Sequence, residues 1–256
     1  MHGAVELFAA AFIASVFGSM VGLGGGFILV PALRLFLGFA PAEAAGTSLV
    51  LIVANSASGA LTYLLHRRVH LKLGLLIALG GLPSSILGAV LALHIPGKIF
   101  DAILALILIT VAIDLARNAK HHSAGRHDHR KVAELKGMSY RAAVGVGFVI
   151  GFFSSLFGLG GGIILIPTFL YFSELPAHAI SATSHFAILL TSPVGLVTHV
   201  LQRDVALNDV VPLVLGGLTG GPIGARLSLR LQSPQLLVAI AIALVVAAIT
   251  LIWRHV

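Results

Sequence analysis

The feature that most constrains this chain is a glycine-rich pentapeptide that occurs twice, each time inside a long apolar run. Residues 22–26 read Gly-Leu-Gly-Gly-Gly, and residues 158–162 repeat them at an offset of 136, called here the repeat offset. A proline follows each copy, Pro31 and Pro167. Successive glycines hold a helix poorly, and an interrupted helix is tolerated in a bilayer only where it is buried in protein or lines a cavity. The pattern predicts a duplicated membrane protein with a binding site at the two interruptions.

Composition agrees with a membrane protein. Of the 256 residues, 58% are hydrophobic and 10% are charged, whereas a soluble domain carries about 25% charged residues. The formal charge of +7 does not indicate nucleic-acid binding, because basic residues of membrane proteins normally mark cytoplasmic loops. The chain contains no cysteine, and it lacks hydrolase, zinc-protease and phosphate-loop motifs. We therefore expect no enzyme, no cofactor and no metal site.

Eight apolar runs are long enough to enter or cross a bilayer. They lie at about residues 5–37, 44–65, 71–93 and 99–116, and again at about 142–172, 179–201, 210–231 and 236–253. We predict an all-α polytopic membrane protein made of two homologous four-segment repeats, with the first segment of each repeat broken at its glycines. The first repeat covers residues 1–117, a basic His-rich linker covers 118–140, and the second repeat covers 141–256.

The two broken runs leave the orientation of the repeats open. Each is too long for one upright helix and short for two full crossings. One net crossing gives parallel repeats, and two crossings give five-segment inverted repeats. Either count places 12 of the 16 Lys and Arg residues on the side of the linker. Charge thus predicts a cytoplasmic linker but does not decide between the two arrangements.

The glycine runs are the first candidate for a binding site. Without a Cβ atom, their backbone can approach a ligand closely. A helix that restarts after the glycines would direct free N–H groups and its positive dipole end at an anion. The alternative is that small residues simply let membrane helices pack closely. The candidate residues are Gly22, Gly24, Gly25, Gly26, Gly158, Gly160, Gly161 and Gly162.

Hydroxyl groups near the glycines form the second candidate set. Neutral donors suit an anion that must be released again, and the alternative role is hydrogen bonding between helices. The residues that recur at the repeat offset are Ser19, Thr47, Ser48, Ser155, Thr183 and Ser184.

Few ionisable side chains lie deep in the runs, where a charge is a functional suspect. His185 is a candidate for proton coupling, although its counterpart at the repeat offset is Leu49. Arg226 is a candidate anion contact, or else a side chain that extends to the headgroups. We expect Asp101, near the end of a run, to lie at the interface. A solvated basic loop is a poor metal cage, so we expect no metal at His121, His122, His127 and His129.

These motifs resemble the sulfite exporter TauE/SafE family. Each half opens with Ser-x-x-Gly-Leu-Gly-Gly-Gly and a later proline, and Gly-Gly-Leu and Gly-Ala elements follow at 80–82, 88–89, 216–218 and 224–225. The resemblance implies a carrier in the bacterial inner membrane for small anions, often sulfite, thiosulfate or sulfoacetate. It does not identify the substrate.

We therefore predict a secondary transporter that binds a small sulfur-containing anion between its halves and alternates access by rocking one half against the other. We expect the anion and the lipid bilayer as its partners and no nucleic acid. The sequence leaves open whether the protein forms a homo-oligomer. Two alternatives are a carrier of divalent metal cations, which would depend on His185, and a membrane accessory protein that transports nothing.

Overall fold

The computed structural model describes residues 3–121, 139–163, 165, 168, 177–230 and 234–253. Within these ranges the first half forms α1 (Ala4–Val21), α2 (Gly26–Phe36), α3 (Pro41–Leu65), α4 (Leu71–Ala92) and α5 (Gly97–His121). The second half forms α6 (Tyr140–Phe157), α7 (Ala177–Leu201), α8 (Val210–Arg230) and α9 (Pro234–Trp253), with a 3-10 turn at Leu207–Asp209. The predicted all-helical class is confirmed for this part of the chain, which contains no strand.

Six helical segments of the described residues are long and apolar enough to cross a membrane. They are Ala4–Val21, Pro41–Leu65, Leu71–Ala92, Tyr140–Phe157, Ala179–Leu201 and Leu207–Leu229, and two shorter apolar helices are Gly26–Phe36 and Leu244–Trp253. Pro167, the linker histidines 122, 127 and 129, and most of the segment predicted to restart at 163–171 lie outside the described residues.

The first broken run is a helical hairpin. Helix α1 ends at Val21, and α2 begins at Gly26. The turn between them has positive φ at Gly22 (90°), Gly24 (86°) and Gly25 (88°), a left-handed conformation that glycine adopts without a Cβ clash. The second copy has positive φ at the equivalent Gly158, Gly160 and Gly161. The predicted interruption at the glycines, and the restart of a helix after the first of them, are confirmed.

Helices from opposite halves pack side by side and in parallel. Along α1 and α8, a Cβ on Gly216 would meet Ala11, and a Cβ on Gly224 would meet Ser19. Contacts that advance together along both helices mean that the helices run in the same direction. The counterpart pair behaves identically, because a Cβ on Gly80 in α4 would meet Val144 in α6, and one on Gly88 would meet Phe152.

These contacts also give the directions of the two halves. Residues 66–70 are the only connection between α3 and α4, and so short a connection joins antiparallel neighbours. Helix α3 runs parallel to α8, since Gly217 packs against Leu51 and Gly221 against Ser58. Because α8 is the counterpart of α4 at the repeat offset, equivalent helices run in opposite directions. The directions match the inverted alternative that charge could not select.

The bundle has two ends, called here the basic face and the far face. The basic face carries residues 66–72, 139–141 and 226–229, and Lys72 Nζ joins Tyr140 Oη there at 2.6 Å. The far face carries residues 37–40, 93–96 and 202–206, where the backbone N–H of Ala206 donates to Thr47 Oγ1 at 3.0 Å.

A buried ion pair fastens α2 to α5 near the far face. Arg34 Nε donates to Asp101 Oδ1 at 2.8 Å, Arg34 Nη2 bonds Asp101 Oδ2, and Arg34 Nη1 bonds the carbonyl of Phe39. Arg34 is 4% exposed and Asp101 is 0% exposed. Asp101, expected at the interface, lies near the far face, and its carboxylate is buried within the protein because the guanidinium pairs with it. The pair anchors the returning arm of the hairpin.

Replacing Gly88 with alanine is expected to destabilise the protein by about 1–3 kcal/mol, the usual cost of overpacking. The new Cβ would lie 2.1 Å from the carbonyl oxygen of Phe152, so α4 and α6 must move apart. Gly145→Ala in α6 is the matched control, because nothing lies within 4 Å of its added Cβ. Thermal unfolding in detergent measures both, and equal stability of the two variants would contradict the packing described.

Replacing Asp101 with asparagine is expected to destabilise the protein strongly. Loss of one partner leaves the Arg34 charge buried without compensation, which costs about 3–5 kcal/mol. The double variant Arg34→Met/Asp101→Leu removes both charges and should unfold at a higher temperature than Asp101→Asn. If the double variant loses as much stability as the Arg34→Met and Asp101→Leu single variants lose together, the two side chains do not interact.

Candidate functional site

The two glycine turns cross in direct contact near the middle of the bundle. A Cβ on Gly24 would lie 3.3 Å from the Cα of Gly160, and the reverse distance is also 3.3 Å. A Cβ on Gly26 would lie 2.0 Å from the carbonyl oxygen of Gly158, and one on Gly162 would lie 2.1 Å from that of Gly22. All residues of both runs are buried. The described conformation is closed at this crossing, and only residues without a side chain permit the contact.

Two equivalent serines fasten each turn to the opposite half. Ser48 Oγ on α3 lies 2.7 Å from the carbonyl oxygen of Gly158 and 2.8 Å from that of Ala45 in its own helix, and Ser184 Oγ on α7 donates to the carbonyl of Gly22 at 2.9 Å. Both side chains are completely buried. A hydroxyl has one hydrogen to donate, so in this conformation carbonyl groups already use both predicted anion donors.

The two predicted threonines bind the loops at the two ends of the bundle. Thr47 Oγ1 accepts the backbone N–H of Ala206, and Thr183 Oγ1 accepts that of His70, each at 3.0 Å. These contacts are again equivalent at the repeat offset. The structure therefore brings the serines to the glycine turns and directs the threonines away from them.

Ser19, Asn55 and His185 form a polar cluster at the first turn. Ser19 Oγ lies 2.7 Å from Asn55 Oδ1 and 3.1 Å from His185 Nε2. Asn55 Nδ2 donates to the carbonyl of Gly24 at 3.0 Å. All three side chains are completely buried. One hydrogen-bond network thus connects the hairpin with α3 and α7.

The direction of each hydrogen bond in this cluster follows from the carbonyl of Gly24. A carbonyl only accepts, so the Asn55 amide nitrogen must face it and the Asn55 oxygen must face Ser19. Ser19 Oγ donates its single hydrogen to Asn55. His185 Nε2 therefore carries a hydrogen and donates to Ser19 Oγ.

The second half lacks the equivalent cluster. The counterparts of Asn55 and His185 are Thr191 and Leu49. Thr191 Oγ1 bonds only within its own helix, to Ala187 and Ile188 carbonyls. Ser155 Oγ is buried and has no hydrogen-bond partner in the described part of the chain. The backbone is repeated, whereas the polar side chains at its centre are not.

Two side chains that bond backbone carbonyls near the C-terminal ends of α1 and α6 were not predicted from the sequence. Tyr63 Oη donates to the carbonyl of Ser19 at 2.8 Å, and His199 Nε2 donates to the carbonyl of Ser155 at 2.9 Å. The Tyr63 and His185 rings also meet edge to face, with centroids 5.7 Å apart. Tyr63 and His199 stand at the repeat offset inside apolar runs, a signal that could have identified both.

The positive end of α2 is directed at the crossing. No side chain caps its start at Gly26, and the first N–H groups of a helix have no acceptor within it. These groups and the helix dipole favour a negative ligand. Within the described residues, no group of three His, Cys, Asp or Glu side chains forms a metal site. Arg226 does not reach the crossing; it is exposed at the basic face.

Comparison with known proteins adds the family context. The model of the family described as sulfite exporter TauE/SafE matches residues 7–251. The "Probable membrane transporter protein YunE" of Bacillus subtilis (strain 168) is 31% identical, covering 98% of this chain and 97% of its own. The "Probable membrane transporter protein y4hK" of Sinorhizobium fredii is 30% identical, covering 98% of each chain. The "Probable membrane transporter protein MJ0441" of Methanocaldococcus jannaschii is 27% identical over 85% of each. No solved structure matches the chain significantly.

Replacing Ser48 or Ser184 with alanine is expected to lower stability by a similar amount. Each change leaves a buried glycine carbonyl without its donor, and hydrogen bonds between membrane helices contribute about 0.6 kcal/mol on average and up to about 1.7. Thr219→Val is the control, because this hydroxyl bonds only carbonyls of its own helix. Thermal unfolding in detergent compares the three variants. Serine variants no less stable than Thr219→Val would contradict a fastening role.

Proposed function

The chain belongs to the sulfite exporter TauE/SafE family, and we propose that it is a secondary transporter of small sulfur-containing anions such as sulfite, thiosulfate or sulfoacetate. The family match and the six apolar helices make it a multi-pass membrane transporter. The observation that supports an anionic substrate is the crossing of two glycine turns. It combines an uncapped helix start with neutral hydrogen-bond donors.

In this proposal the anion binds at the crossing when the halves move apart. Separation frees the hydroxyls of Ser48 and Ser184 from the carbonyls that they now bond. The backbone N–H groups that start α2 at Gly26, and those of the equivalent turn at Gly160–Gly162, supply further donors. Neutral donors hold an oxyanion without a fixed positive charge that would retard its release.

Alternating access follows from the inverted directions of equivalent helices. We infer two five-segment inverted repeats, of which the first consists of the glycine-turn hairpin and three further helices. Each turn is fastened to the opposite half by its own set of bonds: Ser184 to Gly22 for one, Ser48 to Gly158 for the other. Releasing one set while keeping the other opens one face only, which is the requirement of a carrier.

His185 is a titratable side chain next to the crossing. It donates to Ser19 from the helix α7, next to the hairpin. A proton taken up by this imidazole would offset the charge of a bound anion inside the bilayer, so proton coupling is part of the proposal. The basic face would lie in the cytoplasm, and the membrane would be the inner (plasma) membrane, because basic loops are retained on that side.

Replacing Asn55 with leucine is expected to lower sulfur-anion transport at least about tenfold, because a lost hydrogen bond to a charged or strongly polarised group is worth about 1.5–3 kcal/mol. Thr191→Val, the change at the counterpart position, should retain transport since Thr191 bonds only its own helix. Proteoliposomes loaded with labelled thiosulfate, sulfate or sulfoacetate measure exchange, and His185→Leu tests proton coupling.

The same assay decides between the proposal and its two alternatives. Uptake of nickel or cobalt without any sulfur-anion exchange would indicate a cation carrier. A wild-type protein that inserts and unfolds normally but carries none of these solutes would indicate an accessory protein. Equal transport by Asn55→Leu and Thr191→Val would remove the cluster at the crossing from the mechanism.

A further inference from the structure

An open pocket of about 330 Å³ lies at the basic face, between the end of α3 and the end of α8. Its lining residues are His66, Arg68, Arg226 and Leu229. Three of the four carry nitrogen donors. Neither of the contributing segments, residues 66–72 and 226–229, contains an acidic residue. Arginine offers several N–H groups in a planar fork that matches the oxygens of an oxyanion.

The two arginines supply the donors of this pocket. His66 Nδ1 lies 2.7 Å from the carbonyl oxygen of Thr62. A carbonyl accepts only, so the Nδ1 hydrogen of His66 is used within α3. The donors for an anion are then the guanidinium groups of Arg68 and Arg226.

The equivalent turn at the far face has the same backbone, and an aspartate stands in it at the position of Arg68. The backbone N–H of Arg68 donates to the carbonyl of Tyr63 at 3.1 Å, and that of Asp204 donates to the carbonyl of His199 at 3.0 Å. The residue before each has a positive φ without being glycine, 53° at position 67 and 63° at position 203. Since both turns fold alike, arginine at position 68 is not a requirement of the backbone.

Two other pocket residues, His66 and Arg226, also have counterparts that are not basic. At the repeat offset, His66 corresponds to Gln202 and Arg226 corresponds to Val90. At the far face Asp204 Oδ2 lies 3.9 Å from His199 Nδ1. Partial burial raises the pKa of the Asp204 carboxyl, an effect that His199 opposes and Glu43 reinforces. At these equivalent positions the basic face carries arginines, whereas the far face carries Arg203 beside a carboxylate.

The pocket adjoins the polar cluster at the crossing through one layer of side chains. Leu229 lines the pocket and packs on the buried group of Tyr63, Ala182 and Ala225. Tyr63 in turn bonds the backbone of Ser19 and touches the ring of His185. Contacts through Leu229 and Tyr63 thus connect the lining of the pocket with the polar cluster.

We propose that Arg68 and Arg226, in the pocket that His66 and Leu229 also line, form an anion-binding vestibule that loads a dissolved oxyanion toward the crossing from the basic face. The loading step rests on the proposed transport function, whereas binding in the pocket does not. The same chemistry could hold the phosphate of a lipid headgroup, so the experiment separates the two sources. The mouths differ in charge at equivalent positions, so the vestibule serves one face only.

Binding is tested by thermal stabilisation of the detergent-purified, lipid-free protein with thiosulfate, sulfite and sulfate at constant ionic strength. A ligand that binds the native state raises its apparent stability. Arg226→Gln and Arg68→Asp should each weaken the apparent affinity about tenfold or more, as expected for loss of a charge-assisted contact. Arg141→Gln removes the same charge from the same face outside the pocket and should bind as the wild type does.

Two features keep this test decisive. Arg68→Asp installs the residue that the equivalent turn already holds at Asp204, so the turn should fold. Repeating the titration in a Ser48→Ala/Ser184→Ala background removes both hydroxyl donors proposed at the crossing. Arginine variants that bind like Arg141→Gln would overturn the vestibule, as would stabilisation by phosphatidylglycerol with no response to dissolved oxyanions.

Transport from each side then tests the loading role. In proteoliposomes, Arg68→Asp should raise the half-saturating anion concentration at the basic face about tenfold and leave the far face unchanged. Anion binding lost in the arginine variants, with no flux in any protein, would support the vestibule and refute the transport function. Normal flux with identical kinetics in Arg68→Asp, Arg226→Gln and Arg141→Gln would support the transport function and refute the vestibule.

Discussion

The backbone contact between the two glycine turns is the constraint on which the rest of this structure depends. At Gly24 and Gly160 two chains meet with no side chain between them. Each turn must also end one helix and start another, which requires the positive φ values that glycine provides. The turns bring α1 and α6 to the centre, where α8 packs parallel to α1 and α4 packs parallel to α6. The serines that bond the turns act on a geometry that the glycines create.

The repeated contacts describe the scaffold, and the exceptions to the repeat describe the chemistry. Ser48 and Ser184, Thr47 and Thr183, and Tyr63 and His199 make matching bonds in the two halves. Equivalent bonds in both halves are what a structure built from a duplicated unit needs to stay together. The pairs that do not match are Asn55 with Thr191, His185 with Leu49, and Arg68 with Asp204. Since the same backbone accepts either partner, the fold does not require the polar member, and function is the better explanation for it.

Much of the fold follows from the sequence, and the reasons for the failures are physical. Glycine spacing predicted both turns and the helix that restarts at Gly26, because these are local consequences of backbone freedom. The direction of the halves could not be derived, since either orientation places the same number of basic residues on one side. The burial of Asp101 was not predicted because its partner Arg34 is distant in sequence. Of the candidate site residues, the structure brings the glycines, Ser19, Ser48, Ser184 and His185 to the crossing; Thr47, Thr183 and Arg226 face the ends of the bundle.

The closed crossing also defines what an anion must supply if the protein is to open. In the described conformation the hydroxyls of Ser48 and Ser184 donate to buried carbonyls, and Asn55 bonds both Ser19 and Gly24. Opening without a ligand leaves such groups unpaired, at a cost of about 1–3 kcal/mol for each one that stays buried. A ligand shifts a conformational equilibrium only by the difference of its affinities for the two states. In the proposed mechanism an anion offsets the cost of the unpaired donors, because it accepts hydrogen bonds from the freed hydroxyls and backbone N–H groups. The freed carbonyls of Gly22 and Gly158 need water or another donor on the open side. The vestibule proposed at Arg68 and Arg226 would supply the anion to that opening.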